Sequence, residues 1–457
     1  MRTTSTNRRL RPVAKSFLES IREFLTPAIW KQADQARRAG RRSVRWATQP
    51  LLLTVLTMTW CCGDSQAERF ETAKGFTAVC LAKRRGPGKS VQGFQKALAK
   101  LPMTVLRTVA VGVRRRLLSL FDLTNDGWII LGGDGSVLEC PRVAELEQRL
   151  DPPQARQRAP QVWVTALVHL RTGLLWAWHL GKGHNRERSH LRALLWTLPA
   201  LALIVADAGY NGYELAQQII NARASFLIRM SAKDMLYTDW AITPEKLQNF
   251  TEGEVWCWPL EARHQGLPPL RVRLIRLHGQ RRRKDVWLLT NVLDSKRLSI
   301  EQASRYYRWR WENEGLFRTY KRTLAKLKLL SRTIRLVHRE AAASLLATQL
   351  LMAQGVRGVS TSQRRQRGQR SLPRPCSPRR VLLAIRAVIL GRIGIRQRQA
   401  FQKRLAKALR EQRQRTSSKV KRVWPRRVTH KPPKPPKLRE LAGEQKVLLD
   451  QMFKRAA

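Results

Sequence analysis

The chain has 457 residues, which is long enough for two or three domains with at least one sizeable core. It carries 88 Lys and Arg against 32 Asp and Glu, a formal net charge of +56. An apolar fraction of 43% excludes a wholly disordered basic chain. A surface that positive repels itself unless it meets a polyanion, so we expect DNA or RNA as the partner. A membrane surface is the weaker alternative, because no amphipathic anchor or lipidation motif stands out.

The six cysteines argue against a zinc site or a disulfide framework. They are scattered, without CxxC pairs or Cys/His metal spacing. The apolar run at 51–60 has about half the length needed to span a bilayer, and we interpret it as a core helix. We therefore expect a cytoplasmic, nucleoid-associated protein that makes no use of a membrane.

Residues 1–125 are predicted to be helical. A break is expected at 84–90, where Arg, Gly, Pro and Lys cluster. This region is either a DNA-binding domain or a helical cap on the next domain, and the pattern favours neither. The predicted helices are 17–24, 27–35, 51–60, 68–79, 95–101 and 104–121.

From residue 126 the pattern changes to alternating strands and helices. The order strand, strand, strand, helix, strand, helix, strand is typical of an α/β domain with a mixed sheet flanked by helices. The predicted strands are 128–134, 161–170, 174–180, 201–207, 225–230 and 286–292, and the helices are 187–198 and 213–222.

Two further segments complete the predicted organisation. Residues 231–285 interrupt the α/β pattern with short strand-like pieces and are predicted to be a β-rich insertion within a catalytic domain at 126–355. Residues 356–457 are rich in Arg, Lys, Gln and Pro, with a polyproline-like run at 431–437. We expect a basic, partly disordered C-terminal tail there, with one or two short helices.

Two apolar strands end on a carboxylate, Asp134 and Asp207, and each Asp is followed closely by a Gly. Burying a lone carboxylate is costly, and ligands gather at strand ends in α/β sheets. If the strands are neighbours, the two carboxylates converge and require a cation, for which Mg²⁺ is the natural choice. Taken singly, each Asp is better explained as a cap on a strand-to-turn junction, and only the combination with the basic helix favours a metal site.

A long helix is predicted from Ser299 past Leu324, and it carries Tyr307, Arg310, Glu314 and Lys321. Steps of three, four and seven residues place these side chains on one stripe of an α-helix. Glu314 is thus a candidate third metal ligand, with cations on either side that suit phosphate. The alternative is a solvated charged face with incidental aromatic residues.

The motifs around Asp134, around Asp207, and Tyr-x2-Arg-x3-Glu-x6-Lys from Tyr307 to Lys321 resemble the DDE insertion-sequence transposases that bear the YREK signature. The resemblance covers about residues 10–355 and implies a ribonuclease-H-like catalytic core with a β-rich insertion. It implies that Asp134, Asp207 and Glu314 are the catalytic metal ligands for two Mg²⁺ ions, for which Mn²⁺ can substitute.

The resemblance also implies roles for DNA-binding residues. Arg310 and Lys321 hold backbone phosphates of the transposon end, and Tyr307 donates a hydrogen bond to a phosphate. The reaction is nicking at the ends of the element followed by attack of the freed 3′-hydroxyl, often through a DNA hairpin. Trp287 is our candidate stacking platform for a base displaced near the cut, with Trp256 or Trp258 second; an ordinary core Trp is the alternative.

The expected partners are double-stranded DNA, both the terminal inverted repeats and the target, and a second copy of the chain in the synaptic complex. Two other functions stay open on the sequence. One is a ribonuclease-H-like nuclease that cuts without joining strands. The other is a non-enzymatic basic protein that packages nucleic acid or binds ribosomes.

Overall fold

The computed structural model of the protein describes residues 14–37, 46–81, 87–150, 159–182, 187–279, 285–360, 372–409 and 435–454. The chain divides into two compact units. Unit 1 comprises Met1–Thr124, Gly135–Asn185 and Glu312–Glu411, and unit 2 comprises Asn125–Asp134, Arg186–Trp311 and Gln412–Ala457.

The N-terminal part of unit 1 is helical, as predicted. A capping box between Ser16 and Glu19 fixes the start of the first helix. Residues 84–86 of the predicted break lie outside the described residues. The six helices are α1 (Phe17–Phe24), α2 (Pro27–Arg37), α3 (Thr48–Trp60), α4 (Gln66–Leu81), α5 (Val91–Lys100) and α6 (Met103–Leu120).

The α/β part begins with a strand that contributes to both units. Its first half belongs to unit 2 and its second half to unit 1. The elements in chain order are β1 (Ile129–Glu139), α7 (Ala144–Leu150), β2 (Gln161–His169), β3 (Leu174–Lys182), α8 (Glu187–Arg192), β4 (Ala202–Ala206), α9 (Tyr213–Asn221) and β5 (Ser225–Arg229).

The predicted β-rich segment is a meander with two short helices. Its strands continue antiparallel from β5, and each of them contributes buried residues to a core. The elements are β6 (Met235–Thr238), α10 (Pro244–Asn249), β7 (Glu252–Cys257), α11 (Leu260–His264), β8 (Leu270–Leu277) and β9 (Val286–Thr290).

The strand order identifies the fold. In unit 2 the hydrogen-bonded order is β6-β7-β8-β9-β5-β4-β1, with β1, β4 and β5 parallel. In unit 1 the order is β1-β2-β3, with β2 and β3 antiparallel. Strands β1, β2 and β3, followed in the chain by β4 and β5 parallel to β1, give the strand order of a ribonuclease-H-like fold. The predicted mixed sheet flanked by helices is therefore confirmed.

The predicted single helix from Ser299 past Leu324 is wrong. The chain forms α12 (Ile300–Trp309), a tight turn, α13 (Glu312–Arg318) and a π-helical turn at Thr319–Thr323. The break arises because the N–H groups of Arg310 and Trp311 bond carbonyls three residues back instead of four. The predicted stripe depended on one continuous α-helix, which the chain does not form between Ser299 and Leu324.

The core of unit 1 surrounds a long helix, α14 (Ile334–Ser360), which is buried along nearly its whole length from Val337 onward. It packs against α3, α6 and β3, and against two later helices, α15 (Pro378–Ile389) and α16 (Arg398–Ala406). Gly358 permits this close approach, since a Cβ there would lie 2.5 Å from the Leu405 Cβ.

The C-terminal residues of the described chain add to unit 2. Strand β10 (Lys437–Glu440) pairs in parallel with β6, and α17 (Gly443–Lys454) follows it. Most of the polyproline-like run lies outside the described residues. The predicted domain limits near 125 and 355 stay a prediction.

Candidate active site

The register of two parallel strands sets the positions of the two predicted aspartates. Gly132 of β1 pairs with Val205 of β4, and each Asp lies two residues beyond that pair. Asp134 and Asp207 therefore occupy matching levels at the same edge of the sheet. Both are partly buried, and Asp207 caps a 3₁₀ turn by accepting the Ala208 N–H at 2.8 Å.

Strand β1 does not end at Asp134 as predicted. It continues to Glu139 because its second half lies beside β2 in unit 1. Gly135 makes this possible, since a Cβ there would lie 2.7 Å from the Trp163 ring. Asp134 is thus the last residue of β1 on the unit 2 side.

Two arginines of unit 2 face Asp207. Arg229 Nε lies 3.2 Å from Asp207 Oδ1, and Arg310 Nη2 lies 3.8 Å from Asp207 Oδ2. Arg310 is only 8% exposed, and its Nε finds no hydrogen-bond partner among the residues that the structure describes. Guanidinium groups of this kind also donate charge-assisted hydrogen bonds to phosphate oxygens.

Tyr307 lies beside the same cluster. Burial raises the pKa of its phenol, the charge of Asp207 raises it further, and Arg310 and Arg229 oppose the rise. The phenol therefore stays protonated at neutral pH and keeps an O–H donor near Asp207. The structure brings three predicted residues together here: Asp207, Tyr307 and Arg310.

A third carboxylate, Glu187 at the start of α8, lies near the two aspartates. Burial raises the pKa of the Glu187 carboxyl, and the charges of Asp134 and Asp207 raise it further. Negative charge is therefore crowded at this edge of the sheet, even with two arginines nearby.

The other two motif residues belong to unit 1. Glu314 is exposed on the first turn of α13. Lys321 is half-buried in the π-helical turn; burial lowers the pKa of its ammonium group, and Glu139 opposes the shift. A π-helical turn is frequent at functional sites, because it re-aims side chains within a helix.

Trp287, the predicted base platform, is the end member of a stack of three aromatic rings in unit 2. Its ring stacks on Phe250, at 5.6 Å between centroids and 23° between planes, and Phe250 stacks on Trp240. The Arg276 guanidinium lies 5.3 Å from the Trp287 centroid. Trp287 is 8% exposed and Trp258 is 2% exposed, so each has little free surface in this state.

Sequence reasoning missed Arg229 and Glu187. The sequence does contain a signal for Arg229, because this residue ends an apolar strand, Ser225–Arg229, which is the next strand in the chain after the one that leads to Asp207. The pairing of Ala206 with Ile228 then places it next to Asp207. Glu187 had no local signal, since it opens an ordinary amphipathic helix.

The donor set at this edge fits a hard divalent cation. Asp134, Asp207 and Glu187 offer carboxylate oxygens, and the crowding of their charges favours a cation. Within the described parts of the chain, no three His, Cys, Asp or Glu side chains lie close enough together to enclose an ion. If an Mg²⁺ ion bound here, water or phosphate oxygens would have to complete its coordination shell.

Comparison with known proteins supports the predicted class. Residues 134–350 match the family model of the transposase DDE domain, a segment that begins at Asp134 and includes Asp207 and Glu314. The matched segment covers 217 of the 457 residues and supports the predicted class, a DDE transposase; transposase DDE domains generally use divalent metal ions. The YREK-signature subgroup stays a prediction.

One similar solved structure is the piggyBac transposase synaptic complex with hairpin DNA, determined by cryo-EM. It shares 12% sequence identity with this chain, with a TM-score of 0.41 over 90% of this chain and 88% of that one. No curated protein matches the sequence significantly. No helix in the described residues is long and apolar enough to cross a membrane.

Proposed function

We propose that this protein moves a DNA element by a cut-and-paste reaction, in which it nicks the element at its ends and joins the freed 3′-hydroxyl to another phosphodiester. The observation that carries the proposal is the matched position of Asp134 and Asp207 on β1 and β4, inside a segment that matches the transposase DDE domain. Water, and then the 3′-hydroxyl, is the nucleophile, and a 3′-oxygen leaves in each step.

Asp134, Asp207 and Glu314 are proposed to hold two Mg²⁺ ions. When bound, such ions activate the attacking oxygen and stabilise the leaving one. Support for the first two residues comes from their register, and support for Glu314 comes from its motif spacing and its exposed side chain. In RNA- and DNA-processing sites of this kind, the carboxylates also orient the nucleophile for in-line attack.

Arg310, Tyr307 and Lys321 are proposed to hold phosphates of the element end. Arg310 has the strongest support, because its buried Nε lacks a partner within the described part of the chain and its Nη2 faces Asp207. A phosphate oxygen beside Asp207 would satisfy that guanidinium by a charge-assisted hydrogen bond. Arg229 adds a second guanidinium on the other carboxylate oxygen of Asp207.

Trp287 is proposed as the platform for a displaced base during hairpin formation. The role requires the stack of Trp240, Phe250 and Trp287 to open, or the base to join the end of the stack, because Trp287 itself is buried. Stacking of a base on an aromatic ring contributes about 1–3 kcal/mol.

The remaining parts of the proposal concern partners and place of action. The terminal inverted repeats and the target DNA are the substrates, and two copies of the chain hold the two ends. Residues 1–125 bind the ends, 356–457 add nonspecific affinity, and the +56 charge keeps the protein on the nucleoid.

A strand-transfer assay tests the proposal against a simple nuclease. The purified protein is incubated with Mg²⁺, a labelled duplex made from the DNA that flanks its reading frame, and a supercoiled plasmid. We expect labelled ends joined covalently to the plasmid. Cleavage of the duplex with no joined product would favour the nuclease, and neither product would favour a non-enzymatic binding protein.

A further inference from the structure

Glu312 begins the helix that carries Glu314, and its side chain is bonded to a turn far away in the sequence. It is the first residue of α13, and its Oε2 accepts the N–H of Arg171 at 2.7 Å. Arg171 lies in the turn between β2 and β3, 141 residues earlier in the chain. Hydrogen bonds to a charged acceptor are stronger than those between neutral groups, and this one links α13 to the turn within unit 1.

The turn between β2 and β3 is held in place by buried contacts. His169 is 2% exposed; its Nδ1 lies 2.7 Å from the Thr172 hydroxyl, and its Nε2 lies 2.9 Å from the Leu123 carbonyl oxygen. The Thr172 hydroxyl also accepts the Leu174 N–H at 3.3 Å. A turn with these buried partners is a stable point to which α13 can be fixed.

The backbone of Arg171 shows how closely this turn is determined. Arg171 has a φ of +82°, in the left-handed region that residues other than glycine seldom adopt. Such a conformation persists only where the surrounding contacts maintain it. The turn also packs against α14, since a Cβ on Gly173 would lie 3.3 Å from Met352 Cε. The N–H that Glu312 accepts is therefore presented from a fixed backbone.

The winding of α13 connects the side chain of Glu312 to that of Glu314. Two residues along an α-helix correspond to a rotation of about 200°, so these two side chains project from opposite sides. The structure agrees: Glu312 is half-buried, Asn313 is 0% exposed and Glu314 is exposed. A bond that holds Glu312 on the inner side of α13 thus sets the direction in which Glu314 points.

Resting on the proposed function, we propose that Glu312 is a positioning residue for Glu314. The helix α13 has only seven residues, too few to be stable without tertiary contacts. The bond from Arg171 to Glu312 is such a contact, and it fixes the rotation of the first turn of α13. Glu312 itself takes no part in the reaction.

The test compares Glu312→Ala with Glu312→Gln in the full chain. Gln retains an oxygen that can accept the Arg171 N–H, whereas Ala removes the acceptor. At saturating duplex we expect Glu312→Ala to slow the Mg²⁺-dependent nick at the element end by about 10–100-fold, with unchanged duplex affinity, and Glu312→Gln to restore most of the rate. Glu71→Ala is the matched control, because it also removes one carboxylate, which is exposed and pairs with Lys74.

Hydrogen exchange of the DNA-free protein, measured by mass spectrometry on peptides that cover 312–318, tests the same bond without activity. We expect exchange about 10-fold faster in Glu312→Ala but not in Glu312→Gln, because the lost bond is to a charged group. Peptides from α14 should exchange as in the wild type, which shows that the variant is folded.

The outcomes separate this inference from the proposed function. Unchanged exchange in Glu312→Ala, or faster exchange with nicking at the wild-type rate, would overturn the positioning role. An equal loss of rate in both Glu312 variants would assign the effect to charge and would overturn it as well. If the wild type makes no nick while exchange responds as expected, the proposed function fails and Glu312 still anchors α13.

Discussion

A buried ion pair in unit 1 supports the helix that carries Lys321, and its removal should destabilise the protein strongly. Glu340 of α14 accepts a hydrogen bond from Lys326 Nζ at 3.1 Å and from the Ser331 N–H at 2.9 Å. It also accepts from the Leu330 N–H at 3.1 Å. The side chains of Lys326 and Glu340 are 6% and 10% exposed.

These bonds link α14 to the end of β1. The segment after the π-helical turn bonds β1 through Glu139, whose N–H donates to Leu327 O and whose carbonyl accepts the Leu329 N–H. Glu340→Gln removes the negative charge that faces Lys326. It also replaces one acceptor oxygen by an amide N–H₂ group, which cannot accept the hydrogen bonds that Glu340 now receives. Breaking a buried pair from one side costs about 3–5 kcal/mol, so we expect a loss of that size in the free energy of unfolding.

Urea unfolding at neutral pH measures this loss, with Glu19→Gln as the control. Glu19 pairs with Arg398 at the surface, so its loss should cost less than about 1 kcal/mol. A double-mutant cycle with Lys326→Met isolates the pair, because the second substitution should cost little once the first is made. A cost below about 1 kcal/mol for Glu340→Gln would refute this account of the pair.

The destabilisation caused by Glu340→Gln should depend on pH. Burial alone would raise the pKa of Glu340, but Lys326 and the Ser331 hydrogen bonds outweigh it, so the pKa is lowered from its ordinary 4.5. A lowered carboxyl pKa stabilises the folded state fully above 4.5, and the contribution disappears as pH falls through the folded pKa. The difference between the wild type and Glu340→Gln should therefore shrink as the pH is lowered below 4.5.

Three other substitutions test separate parts of the account. Arg310→Ala should weaken binding to the element end and reduce the slope of log affinity against log salt by about one, whereas an unchanged slope would exclude a phosphate contact. Trp287→Ala should impair hairpin formation more than first-strand nicking on a labelled duplex, and equal effects on both steps would exclude a platform role. Gly358→Val should cost about 1–3 kcal/mol in thermal unfolding because it meets Leu405, whereas Gly75→Ala, which faces open space, should cost nothing.

The sequence predicted most of the fold because the hydrophobic periods were clear. The helices of the first 120 residues and the strands β1 to β5 lie close to where apolar periodicity places them. Periodicity could not show the break between α12 and α13, because no Gly or Pro marks it. The tight turn at Arg310 and the π-helical turn after Arg318 differ from an α-helix in which backbone carbonyl each N–H group bonds, and apolar periodicity does not show this difference.

The residues of the candidate site that the sequence could predict are charged residues at the ends of apolar strands. Asp134 and Asp207 share that signature, and parallel pairing of β1 with β4 then brings them to one level. Arg229 has the same signature with the opposite charge. Glu187 was not predictable, because its position depends on how α8 lies against a loop more than 20 residues later in the chain.

The most direct test of the central claim is cleavage of an element-end duplex by Asp134→Asn and Asp207→Asn variants, with and without Mg²⁺. The account predicts that each variant binds the duplex as tightly as the wild type and that neither produces the Mg²⁺-dependent nick at the element end. It would be contradicted if either variant still nicked the duplex at the wild-type rate, or if the wild type cut it equally well in the presence of a chelator.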